Sequence, residues 1–131
     1  MTVAVAHQVS ATSSIALSHG VREAVLRDTE LVVLHVVDSL DADRSEAYRL
    51  GISDEVEKVA KEEPDLKWDL RLQTARGDLG ERLLALVDEV APELLVIGAR
   101  RRSPVGKALL GSVAQTLILE ANVPVLVVKA P

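Results

Sequence analysis

The chain has 131 residues, 48% of them hydrophobic, which suits one folded domain with a buried core and excludes a disordered chain. A net charge of −5 and a single Trp and a single Tyr exclude both a basic nucleic-acid surface and a base-stacking platform. There is no cysteine, so disulfides, thiol chemistry and thiolate metal sites are excluded as well.

The first element is the apolar run Val3–Ala6. The N-terminus MTVAVAHQ has no basic stretch and no separate apolar stretch, so it reads as a strand and not as a signal peptide. No apolar run approaches the ~18 residues of a membrane span. These features favour the cytoplasm. Leu17, Val21, Ala24 and Val25 fall on one face of a first helix. The second strand is Leu31–Val37. The polar stretch from Asp41 to Glu63 reads as a short helix, a break at Gly51, and a helix from about Asp54.

In LKWDLRLQ the residues Leu66, Trp68, Leu70 and Leu72 alternate with Lys67, Asp69 and Arg71. Strict alternation leaves one face wet, so this third strand is expected at a sheet edge. Asp78 and Glu81 form a capping box ahead of a helix with the stripe Leu79, Leu83, Leu86, Val87 and Val90, ended by Pro92. Leu94–Ile97 is the fourth strand, with Leu95 and Ile97 expected on alternating, helix-covered faces. Ser112 and Gln115 form a second capping box, followed by Val113, Leu117, Ile118 and Ala121; Asn122 and Pro124 stop that helix. The last strand is Val125–Val128. Short runs of this kind, rich in β-branched residues, mark strands buried on both faces. The alternation β-α-β-α-β-α-β-α-β gives a single α/β domain over residues 1–131, a parallel sheet with helices on both faces.

Open parallel sheets bind ligands outside the carboxyl ends of their strands, where strand order reverses. Strand 1 ends at Ala6-His7-Gln8 and strand 2 at Val36-Val37-Asp38. Strand 4 ends at Ile97-Gly98 and runs into GARRRSPVGKALLGS, which enters the last helix at Gly111-Ser112. A helix N-terminus offers free N–H groups to an anion. The loop is not a phosphate loop of the G-x-x-x-x-G-K-[ST] type: Arg101 stands at the first glycine and Ala108 at the hydroxyl position. Gly111 and Ser112 are equally explained as a helix cap, and Arg100–Arg102 as a solvated face. His7, with no nucleophile or carboxylate assigned beside it, reads as a hydrogen-bonded structural histidine. His35 reads as structural and His19 as exposed, and the three histidines show no metal-ligand spacing.

The whole chain resembles the universal stress protein family, on LVVLHVVD (Leu31–Asp38), ELLVIG (Glu93–Gly98), LLGSVAQ (Leu109–Gln115) and NVPVLVVK (Asn122–Lys129). The resemblance implies a Rossmann-like, five-stranded parallel sheet of order 3-2-1-4-5, with the switch point between strands 1 and 4. It also implies a homodimer through Val125–Val128, which the apolar edge of that strand favours too, and a regulatory, non-catalytic role is expected; the charge, the scarcity of aromatics and the short apolar runs leave no nucleic-acid or membrane partner. Many members bind ATP through Gly-x2-Gly-x9-Gly-[Ser/Thr]. Here Gly98, Gly111 and Ser112 match, while Arg101 occupies the middle glycine. The aspartate those members carry after strand 1 is Gln8, and Val36 matches the residue that meets adenine through its backbone. Ala6, Gln8, Val36, Gly98, Arg100, Arg101, Gly111, Ser112 and Val113 are therefore the candidate ligand residues. The ligand expected is ATP, bound weakly, or another phosphate-bearing molecule. Glycine permits close backbone approach to phosphate and arginine does not. Arg100, Arg101, Arg102 and Lys107 could instead supply charged donors. The alternative expectation is a dimeric interaction protein of the stress response without nucleotide.

Overall fold

In the computed structural model of the chain, the described residues are 1–8, 13–38, 41–101, 108–109 and 111–129. Of Arg100, Arg101, Ala108 and Leu109 only the backbone is described. The elements run β1 (Thr2–Ala6), α1 (Ser13–Leu26), β2 (Glu30–Val37), α2 (Ala42–Val59), β3 (Trp68–Thr74), α3 (Leu79–Val90), β4 (Leu94–Arg101), β5 (Ala108–Leu109), α4 (Ser112–Glu120) and β6 (Val125–Lys129).

Five strands are parallel in the order β3-β2-β1-β4-β6, which is the expected 3-2-1-4-5 sheet. The register sets Ala6 between Leu34 of β2 and Ile97 of β4. The two-residue β5 is an addition: it pairs antiparallel with the end of β4, Arg100 opposite Leu109 and Arg101 opposite Ala108. Strand 4 therefore does not stop at Ile97. It continues through Gly98 to Arg101 because β5 gives its last residues a backbone partner.

The core has two layers. Val3 and Val5 of β1, Leu31 and Val33 of β2 and Leu94 and Val96 of β4 pack against α1 and α2. Ala4 and Ala6, Val32, Leu34 and Val36, and Leu95 and Ile97 pack against α3 and α4. Leu95 and Ile97 thus share one face, as residues two apart on a strand must. On α1, Leu17, Val21 and Ala24 are buried, but Val25 is 40% exposed, at the margin of the stripe. Gly20 lies against the sheet: a Cβ there would collide with Val5 Cγ2 and stand 3.3 Å from Leu31 Cδ1. α1 consequently sits close over β1 and β2.

Three further expectations are corrected. α2 is one continuous helix of 18 residues, with no break at Gly51. Asp41 caps it, its carboxylate accepting from the N–H groups of Asp43 and Arg44, and Ile52 and Val56 bury against the core. One glycine costs ~1 kcal/mol in a helix, less than the cap and the buried stripe return. At α4 the N-cap is Gly111, with no side-chain cap bond, and Ser112 is the first helical residue, so the Ser112–Gln115 box is not formed. β6 is half-buried at Val125, Leu126 and Val127, not buried on both faces, because it is the sheet's edge beside β4.

The cap at α3 is formed as expected, Glu81 N–H donating to the Asp78 carboxylate at 3.2 Å. β3 is the opposite edge and retains its alternation, although it starts at Trp68 and not at Leu66.

Candidate functional site

The carboxyl ends of β1, β2 and β4 open into two adjoining hollows. The first lies where β1 meets β4 and is lined by Ala6, Gln8, Ser13, Ala16, Ile97, Gly98 and Val113, with Ala114 and Leu117 behind. It is narrow, about 20 Å³. The second lies between the ends of β1 and β2, under α2 and α3, and is about 270 Å³. His7, Gln8, His35, Val36, Asp38, Arg44 and Tyr48 line it, with Val37, Leu79 and Leu83. Gln8 belongs to both.

Of the nine candidate residues, Ala6, Gln8, Gly98 and Val113 line the first hollow and Val36 and Gln8 the second. Gly111 and Ser112 are exposed at the start of α4, immediately ahead of Val113. The backbones of Arg100 and Arg101 are held in the β4–β5 pair. Arg102 and Lys107 lie outside the described residues.

The polar floor of the larger hollow escaped sequence reasoning. His7 is buried, and a carboxylate does stand beside it: His7 Nε2 lies 3.0 Å from Glu55 Oε2 of α2. The other oxygen of Glu55 accepts from Ser13 Oγ at 2.7 Å and Ser14 Oγ at 3.1 Å, in the first turn of α1. His35 Nδ1 is 2.9 Å from the His7 carbonyl and 3.1 Å from His7 Nδ1. A carbonyl only accepts, so His35 Nδ1 carries a hydrogen and shares it with His7 Nδ1. His7 Nδ1 is then an acceptor, and its hydrogen is on Nε2, donated to Glu55.

Both ionisations follow from this geometry. Burial holds His35 below the ordinary histidine range; the bond to the His7 carbonyl and the charge of Glu55 oppose it without prevailing. For Glu55, burial pushes the carboxyl up, but hydrogen bonds from Ser13, His7 and Ser14 together hold it below the ordinary range. Tyr48 covers His35, ring centroids 5.5 Å apart, and the Arg44 guanidinium lies 5.9 Å from the Tyr48 centroid.

The signal for Glu55 was in α2. It stands three residues after Ile52 and seven after Tyr48, on the stripe that faces the sheet. A charge on an inward stripe needs a partner, and His7 and His35 interrupt otherwise apolar strand ends. His19 is half-buried, not exposed. Among the described residues no group of His, Cys, Asp and Glu has metal-ligand geometry. No helix among them is long and apolar enough to cross a membrane.

A parallel α/β sheet with its hollows at the β1/β4 switch point belongs to the class of domains that take small ligands at their strand ends. The chain is a member of the universal stress protein family: the model of that family matches residues 1–129. A universal stress protein of Mycolicibacterium smegmatis is 44% identical over 118 residues, 87% of this chain and 86% of the relative. Among solved structures, a universal stress protein from Archaeoglobus fulgidus superposes with a TM-score of 0.80 at 28% identity, over 98% of this chain and 97% of that one. Another from that organism, in complex with dAMP, gives a TM-score of 0.75 at 24% identity, over 98% of this chain and 96% of that one.

Proposed function

We propose that this universal stress protein is a regulatory, non-enzymatic protein of the cytoplasm whose switch-point crevice binds a phosphate-bearing ligand of the nucleotide class, with ATP held weakly. The observation that carries the reading is the convergence of Ala6, Gln8, Gly98 and Val113 on one hollow, beside a helix whose Gly111 cap has no side-chain acceptor. A helix N-terminus whose cap residue brings no acceptor of its own suits an anion. Gln8 brings no carboxylate to the nucleoside end. The Archaeoglobus relative with dAMP has the same fold. The non-enzymatic reading is supported by the network itself. Ser13 Oγ donates to Glu55 and His7 Nε2 faces the same carboxylate, an arrangement with the carboxylate in the middle and unlike the hydroxyl–base–carboxylate order that activates a nucleophile.

Calorimetry with ATP, tripolyphosphate and adenosine, at low and high salt, tests this. Weak, salt-sensitive binding with little preference for ATP over tripolyphosphate is expected. Gln8→Asp with Arg101→Gly shifts the preference to ATP. Tight, adenine-selective binding by the natural protein would refute the reading, and no anion binding at low salt would leave a dimeric interaction protein. The proposed dimer pairs β6 across a two-fold axis, since its apolar edge is half-exposed at Val125, Leu126 and Val127. Light scattering should show a dimer that Val127→Glu dissociates.

A further inference from the structure

Among the described residues the buried polar side chains are His7, Ser13 and His35, and the two histidines are bonded to each other. With Glu55 they join three separate elements: β1, β2 and α2. Tyr48 and Arg44 of α2 rest on the same stack and close the larger hollow. We propose that this network is a proton-operated latch: one proton taken up by the His7–His35 pair releases the Arg44–Tyr48 turn of α2 from the ends of β1 and β2 and reshapes the crevice that Gln8 and Val36 line.

In the neutral network one hydrogen, on His35 Nδ1, serves both the carbonyl and the Nδ1 of His7. Of the two rings, His7 is bonded to the carboxylate, 3.0 Å away, so the added proton settles there. It occupies Nδ1, the free position, and two N–H groups then face each other across 3.1 Å. His35 can turn away, or it can move its hydrogen to Nε2. In the second case its bare Nδ1 faces the His7 carbonyl, two acceptors at 2.9 Å. There His7 Nδ1–H donates to His35 Nδ1 and the ring-to-ring bond is kept in reverse; either way the bond to the His7 carbonyl, which ties the His35 ring to the backbone after β1, is lost. Tyr48 lies over that ring, centroids 5.5 Å apart and planes tilted by 31°, so a shift of the ring unseats it.

The other groups around the pair do not cancel this. Ser13 and Ser14 of α1 donate to Glu55 and keep it ionised. From α2, Arg44 adds positive charge at the mouth. Asp38 after β2 lies there too, exposed, and Leu79 and Leu83 of α3 carry no charge. The latch is a property of the protein without ligand and does not depend on what the crevice binds.

Nitrogen-15 NMR of the imidazoles, with amide exchange corrected for its intrinsic pH dependence, tests it on the ligand-free protein between pH 8 and pH 5. At pH 8 the hydrogens should be on His7 Nε2 and His35 Nδ1. As the pair takes up its proton, the first half of α2 should lose protection by about tenfold, in step with the imidazole signals, while α4 keeps its own. His35→Phe keeps a ring under Tyr48 and should leave α2 insensitive to pH. If that variant does not fold, His7→Gln should flatten the response of α2 equally. Opposite tautomers at pH 8, α2 and α4 loosening together, or an α2 response that persists in the variant would each overturn the proposal.

Discussion

On the α1/α2 side, alternate residues of β1 run Val3, Val5, His7; on the α3/α4 side they run Ala4, Ala6, Gln8. β2 repeats the contrast, with Leu31, Val33 and His35 against Val32, Leu34 and Val36. One layer ends in a hydrogen-bonded network around Glu55; the other stays aliphatic through Ala6 and Val36. The two differ in what holds them. Packing contributes in proportion to volume filled and is indifferent to protons, whereas a histidine–carboxylate network changes strength whenever a member titrates. The sheet thus has a layer whose stability is fixed and a layer whose stability follows pH.

The largest effect expected is on the aliphatic side. Leu95 is fully buried between β4 and the α3/α4 layer, and Leu95→Ala should cost ~2–5 kcal/mol by leaving a cavity. Urea unfolding should show the same loss at pH 8 and pH 5; a loss below ~1 kcal/mol would mean that the layer is loosely packed.

On the polar side, Glu55→Ala leaves the buried His7 Nε2–H without its acceptor and should cost ~1–3 kcal/mol at neutral pH. The wild type should itself weaken on acidification, for two reasons of the same sign. His35 titrates lower when folded, so the unfolded chain takes up its proton first as pH falls through the ordinary histidine value, ~6.5. Glu55 also titrates lower when folded. Its contribution is present above the ordinary glutamate value, ~4.3, and is lost as pH falls through the folded one. In Glu55→Ala the lower of these two losses should disappear. Unfolding midpoints that run parallel for wild type and variant down to pH 4 would erase the contrast between the layers.

Gly20→Ala probes the close seating of α1. Relief of the new contacts with Val5 and Leu31 costs ~1–3 kcal/mol, against a helix-propensity gain of ~1 kcal/mol, so a net loss near 1 kcal/mol is expected in thermal unfolding. A gain instead would show that the α1 layer yields readily. The smallest effect lies beyond α3, where Ala91 is left-handed at φ 49°. Ala91→Gly removes that strain and should raise stability by ~0.5–1 kcal/mol.

Much of this architecture was legible because its signals are local. Apolar runs of four to seven residues marked β1, β2, β4 and β6, and the alternation through Trp68, Leu70 and Leu72 placed β3 at an edge. The switch point followed from strand order, which the family resemblance provided. What escaped was non-local. Gly51 looks like a break until the burial of Ile52 and Val56 on the same helix is counted. Ser112 looks like a cap until β5 and Gly111 set where α4 begins. Glu55 reads as one more charge in a polar stretch, because its partners are at positions 7, 13 and 35 and only the sheet brings them together. Gln8 and Gly98 were reachable from sequence because strand ends can be located one strand at a time.

β1 takes its two neighbours from opposite ends of the chain: Val3 lies beside Leu31 and also beside Leu94. As the polypeptide is synthesised, β2 can dock early, but the other flank of β1 stays open until most of the chain has emerged. The nascent protein therefore passes through a stage in which Val3, Ala4 and Val5 present an apolar, unpaired strand edge. In this topology the most sheltered strand of the native protein is the one exposed longest before folding is complete.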